Sequence, residues 1–150
     1  MAEKSIRIYR SLGGTHFDAV ASPEGHVEVS NAVKLLRKQA PGLHRDLVNI
    51  MYEILSLTSN IPANIQDIKA EGFRMISPLL KFHIVLQYEI GKFEFCLQHD
   101  GGFLVSDSVS QLYQKDRVLH KKMIDLIYQL ILPLEKIDMA WNLGGDDYED

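Results

Sequence analysis

The stretch FHIVLQYEIGKFEFCLQHDGGFLVS (82–106) decides the fold. Phe82, Ile84, Leu86, Tyr88 and Ile90 alternate with His83, Gln87 and Glu89, the period of a strand with one buried face. Phe93, Phe95 and Leu97 repeat the pattern after Gly91-Lys92, which reads as a two-residue hairpin turn with glycine first. That turn pairs Ile90 with Phe93, Tyr88 with Phe95 and Leu86 with Leu97, so apolar meets apolar across the hairpin. It also sets Glu89 opposite Glu94 on the polar face. HDGG (99–102) makes a second turn, FLVS a third short strand, and Ser106 or Asp107 caps a helix. A long helix is expected over about 116–132, stopped or kinked at Pro133.

The same order is legible earlier in the chain. Residues 5–55 slide onto 81–131 without a gap. Ile8 falls on Ile84, Phe17 on Phe93, Gly25 on Gly101, Val29-Ser30 on Val105-Ser106, and Val33 and Leu36 on Val109 and Leu112. LHRDLVNIMYEIL (43–55) returns as LHKKMIDLIYQLI (119–131), keeping Leu, His and Tyr in register. IRIYR, THFDAV and HVEV are the strands of the first copy, SLGG and SPEG its turns, Ser30 its helix cap, and Pro41-Gly42 the break between a short and a long helix. Gly13-Gly14 therefore reads as turn glycine rather than a phosphate cradle. The spacing predicts an α+β fold: internally duplicated β-β-β-α-α units, 5–55 and 81–131, in one pseudo-two-fold domain. An antiparallel sheet carries helices on one face. The expected organisation is one domain over 1–145, with repeats at 5–58 and 81–134, a spacer helix at 59–72 and an acidic tail at 146–150.

Composition narrows the partners. The chain has 150 residues, 46% of them apolar and 24% charged, with a formal charge of −4. The tail holds Asp146, Asp147, Glu149 and Asp150, and the remaining body is neutral. No basic stripe offers itself to phosphates, so nucleic acid is disfavoured as a partner. The start MAEKSIRIYR has no apolar run of a signal peptide, no segment reads as membrane-spanning, and the single cysteine, Cys96, allows no internal disulfide. These features together point to a cytoplasmic location.

No catalytic motif stands out, so the sequence leans away from an enzyme, and it implies no cofactor, no metal site and no catalytic residue. His44 and His120 fall in the apolar stripes of the two long helices, which predicts buried, neutral core histidines rather than a metal pair. Cys96 has no adjacent base and reads as an inert thiol. Trp141, at helical spacing with Leu134 and Ile137, reads as core. In element order, duplication and size the chain is similar, in outline only, to two groups built from tandem strand–strand–strand–helix units. These are the Whirly and PUR group, which implies single-stranded nucleic-acid binding, and the YbjN and type III secretion chaperone-like group, which implies protein binding.

The reading that follows is a small protein-binding module of chaperone, inhibitor, immunity or adaptor type. Its surface is the sheet face turned from the helices: Arg7, Tyr9, His83, Gln87, Glu89, Glu94 and Gln98. Arg and Tyr are residue types that anchor interfaces. The alternatives are an enzyme or small-ligand protein with a site between the repeats, and a single-strand nucleic-acid binder. A homodimer is compatible with all three.

Overall fold

The computed structural model describes residues 4–10, 16–22, 26–62, 65, 80–88 and 91–144. Three strands come first: β1 (Lys4–Arg10), β2 (His16–Ala21) and β3 (Val27–Val29). Helices α1 (Asn31–Gln39) and α2 (Pro41–Leu57) follow, and a single 3-10 turn, Thr58–Asn60, closes α2. Then come β4 (Leu80–Tyr88), β5 (Gly91–Gln98) and β6 (Phe103–Val105), and helices α3 (Asp107–Lys115) and α4 (Arg117–Gly144). The fold is α+β, with one open antiparallel sheet in the order β3-β2-β1-β4-β5-β6. The two edge strands are three residues long, which limits edge-to-edge pairing with other chains.

Period-two alternation decides which face is covered. Ile6, Ile8, Phe17, Ala19, Phe82, Ile84, Leu86, Phe93 and Phe95 are buried in one cluster. The same cluster takes Val33 and Leu36 of α1, Leu47, Met51, Ile54 and Leu55 of α2, Val109 and Leu112 of α3, and Leu119, Met123, Ile127 and Leu130 of α4. Those helical residues recur at three- and four-residue spacing, one stripe per helix. Each of α1–α4 thus lays its stripe on the same side of the sheet.

The junctions are built from a recurring set of backbone bonds. Ser30 and Ser106 occupy the N-cap positions of α1 and α3 with nearly identical extended backbone, φ −72°, ψ 166° and φ −73°, ψ 165°. Neither hydroxyl caps its own helix. The Asp18 N–H donates to Ser30 Oγ (3.1 Å) while the Ser30 N–H donates to the Asp18 carbonyl (3.1 Å). The Glu94 N–H donates to Ser106 Oγ (3.0 Å) while the Ser106 N–H donates to the Glu94 carbonyl (3.0 Å). Ser30 therefore ties α1 to β2, and Ser106 ties α3 to β5. At the helix–helix breaks, the Ala40 and Asp116 amides each donate across 2.8 Å to the carbonyls of Leu36 and Leu112. The Asp116 carboxylate then accepts the Leu119 amide at 3.1 Å, capping α4. In the centre of the sheet β1 and β4 run antiparallel with Ile8 opposite Ile84.

Several expectations are corrected. The β4–β5 hairpin does not turn at Gly91-Lys92. Tyr88 pairs with Gly91, Leu86 with Phe93 and Ile84 with Phe95, a shift of four residues along one strand from the expected register. An even shift keeps every apolar residue on its face, so alternation alone could not choose between the two. Glu94 consequently lies opposite Val85 and not Glu89. Helix α4 does not stop at Pro133 but runs on to Gly144. A helix-interior proline costs about 3 kcal/mol, and the burial of Leu134 and Ile137 one turn on offsets it. Only the 3-10 turn and a few flanking residues of the expected spacer helix are described. Most of that segment lies outside the described residues, as do the SLGG turn, most of SPEG and the acidic tail, while Trp141 lies in α4 with its side chain outside the described set. No helix among the described residues is long and apolar enough to cross a membrane.

Candidate functional site

The helix-free face of the sheet, on which no helix of the described residues packs, is built by the alternate residues of its strands. Arg7 of β1 lies between Asp18 of β2 and Val85 of β4, and Val85 lies beside Glu94 of β5. One row away, Tyr9 is paired with His83 and His83 with Cys96. On the other side Gln87 is flanked by Ser5 and Lys92. Six of the seven residues singled out in the sequence thus come from β1, β4 and β5 of this surface. Glu89 lies outside the described residues.

Their depths differ sharply. Arg7 and Gln87 are exposed, Tyr9, His83 and Gln98 half-buried. Glu94 was expected in solvent and is only 5% exposed. One Glu94 carboxylate oxygen takes His83 Nε2 at 2.9 Å, and the other faces Lys92 Nζ at 3.8 Å. Burying a carboxylate this deeply is costly without such partners. Tyr9 packs its ring against His83, with centroids 5.8 Å apart. In the first half Asp18 faces Arg7 Nε at 3.7 Å and keeps 18% of its side chain in solvent.

Sequence reasoning missed the His83–Glu94 pair because it chose the wrong turn. With the turn moved back, the two become diagonal neighbours on one face, within reach of each other. Cys96 is fully buried on this side, and burial, reinforced by the negative charge of Glu94, pushes its thiol pKa up to about 12. Such a thiol stays protonated at neutral pH and is a poor nucleophile.

The helix layer holds the remaining candidates. His44 and His120 are half-buried, not core, and His120 meets the Tyr113 ring edge-on at 5.1 Å. Desolvation, and then the Arg37 charge, lowers the His44 pKa, and desolvation lowers that of His120. Between α2 and α4 runs a shallow groove of about 340 Å³, lined by Leu43, Asp46, Ile50, Leu132, Pro133 and Lys136. Among the described residues no group of three or more His, Cys, Asp or Glu side chains is placed to hold a metal ion. Compared with protein-family models, curated proteins and solved structures, the chain matches none.

Proposed function

We propose that this chain is a protein-binding module whose working surface is the helix-free face of its sheet. The carrying observation is the contrast between the two faces. One is sealed by four helices over a single apolar cluster, and the other presents Arg7, Tyr9, His83 and Gln87 at its centre. Arginine and tyrosine beside polar, half-exposed neighbours form the kind of surface that interfaces use as anchors. Glu94 leaves the proposed contact set, because its carboxylate is spent on His83 and Lys92. It acts instead as the seat that holds those two side chains in place.

We further propose that the surface is doubled by internal duplication, within one domain over 1–145. The units are 5–58 and 81–134, related by a pseudo-two-fold axis near Ile8 and Ile84. Supporting this are the repeated Asp18–Ser30 and Glu94–Ser106 bond pairs and the recurring element order. An experimental structure in which 5–55 and 81–131 fail to superpose would refute the duplication.

The function is tested by affinity capture from the lysate of the native host, with wild type and an Arg7→Glu, Tyr9→Ala variant side by side. A stoichiometric protein held by wild type and lost by the variant is expected. Equal capture by both would move the site off this face.

A further inference from the structure

On the helix-free face Asp18 and Glu94 are sunk while Arg7 and Lys92 stand out. The Asp18 and Glu94 side chains keep 18% and 6% of their surface, whereas Arg7 keeps 50% and Lys92 30%. The Arg7 and Lys92 nitrogens stand 3.7 and 3.8 Å from their carboxylates, beyond hydrogen-bond length. Their N–H groups are held in place by charge without being consumed by short bonds. Tyr9 and Gln87 add polar groups between and beside them. Among the described residues of β1–β5 on this side, the exposed acid is Glu28, on the edge strand β3, two strands away from Arg7. The centre of the face therefore offers donors to an incoming molecule, although the body of the chain is neutral.

We infer that the occupant of this face is a carboxylate-rich, extended segment of a partner protein, lying over β1, β4 and β5 with its acids on Arg7 and Lys92. The inference rests on the protein-binding reading above and adds the chemistry of the partner. Two strand spacings and a two-residue rise separate Arg7 from Lys92, about 12 Å at the backbone. Carboxylates four residues apart on one side of an extended chain are about 13 Å apart, so one segment reaches both cations. Arginine accepts a carboxylate through two parallel N–H bonds, which gives direction as well as charge. Two cations are too few for a phosphate backbone, which draws its affinity from many contacts.

The test uses the full chain and a labelled twelve-residue peptide of alternating Glu and Ser, with a Gln-Ser peptide as control, read by fluorescence anisotropy. The Glu peptide is expected to bind at least tenfold more tightly than the Gln peptide. That preference should fall in high salt and should be lost in an Arg7→Gln, Lys92→Gln variant that removes charge without burying any. Equal binding of the two peptides, or a preference that survives the double variant, overturns the inference. A tenfold gain in affinity on removing residues 145–150 would make the chain's own acidic tail the occupant and likewise overturn the assignment to a partner. Failure here is separable from failure of the surface itself. A captured protein lost with Tyr9→Ala but kept by Arg7→Gln, Lys92→Gln would retain the surface and reject the acidic segment.

Discussion

Asp18 of β2 and Glu94 of β5 make matching bonds to the serine before the next helix and lead different lives. Both exchange two hydrogen bonds with the serine that opens the following helix. Asp18 faces Arg7 at long range and keeps part of its side chain in solvent, while Glu94 is enclosed between His83 and Lys92. The strands around them differ in the same sense. Ala19 fills the core position on β2 where Phe95 stands on β5, and β4 and β5 are longer than β1 and β2. A common hydrogen-bond frame thus supports a lighter first half and a heavier second half. The frame belongs to the backbone and the two cap serines, and the burial of the charge is set by the side chains around it.

The largest expected effect lies in the core. Phe95→Ala should cost about 3–5 kcal/mol, because a fully buried ring leaves a cavity. Ala19→Gly should cost about 1 kcal/mol, mostly backbone entropy. Urea denaturation of both variants measures the difference, and similar losses would erase the distinction between the halves. Next comes the charge seat. Glu94→Lys places a buried ammonium beside Lys92 and His83 and should cost about 3 kcal/mol or more. Asp18→Lys, in partial solvent, should cost about 1 kcal/mol or less. Equal effects would mean that the burial of Glu94 does not isolate it from water.

The frame itself predicts equality. Ser30→Ala and Ser106→Ala each strand one backbone N–H and should each cost about 1–2 kcal/mol. A fourfold disparity would break the parallel between the halves. The smallest effect concerns His44 and His120. Their folded pKa values are lowered, so the unfolded chain binds protons more readily. Stability then rises with pH: their contribution is complete above the unfolded value of about 6.5 and is lost as pH falls below it. His44→Leu, His120→Leu should flatten the urea midpoint between about pH 7 and pH 5. An unchanged pH slope would assign the dependence to other groups.

Much of this architecture was legible in the sequence. Alternation at 82–88 and 93–97 identified the strands and their buried face, and helical stripes identified the layer that covers it. The hairpin register was not legible, because a four-residue slip leaves the apolar pattern intact and Gly91-Lys92 imitates a turn. The helix beyond Pro133 was hidden by a residue that usually ends helices, although Leu134 and Ile137 continue the stripe. Of the candidate surface, Arg7, Tyr9 and His83 were found by parity alone. The depth of Glu94 was not, since parity gives a face and never a distance from water. Its partner His83 comes from β4 and is brought alongside only by the correct register, whereas Lys92 is two residues away on β5 itself.

The central claim is that the helix-free face, and not the helix layer, is where this protein meets its partner. The most direct measurement is the affinity of the captured partner for two variant pairs in parallel. One is Arg7→Glu, Tyr9→Ala on the sheet, and the other is Tyr52→Ala, Leu132→Ala at exposed positions of the helix layer. The account expects the sheet pair to weaken binding at least tenfold and the helix pair to leave it within twofold of wild type. Loss confined to the helix pair, with the sheet pair binding as wild type, would contradict it.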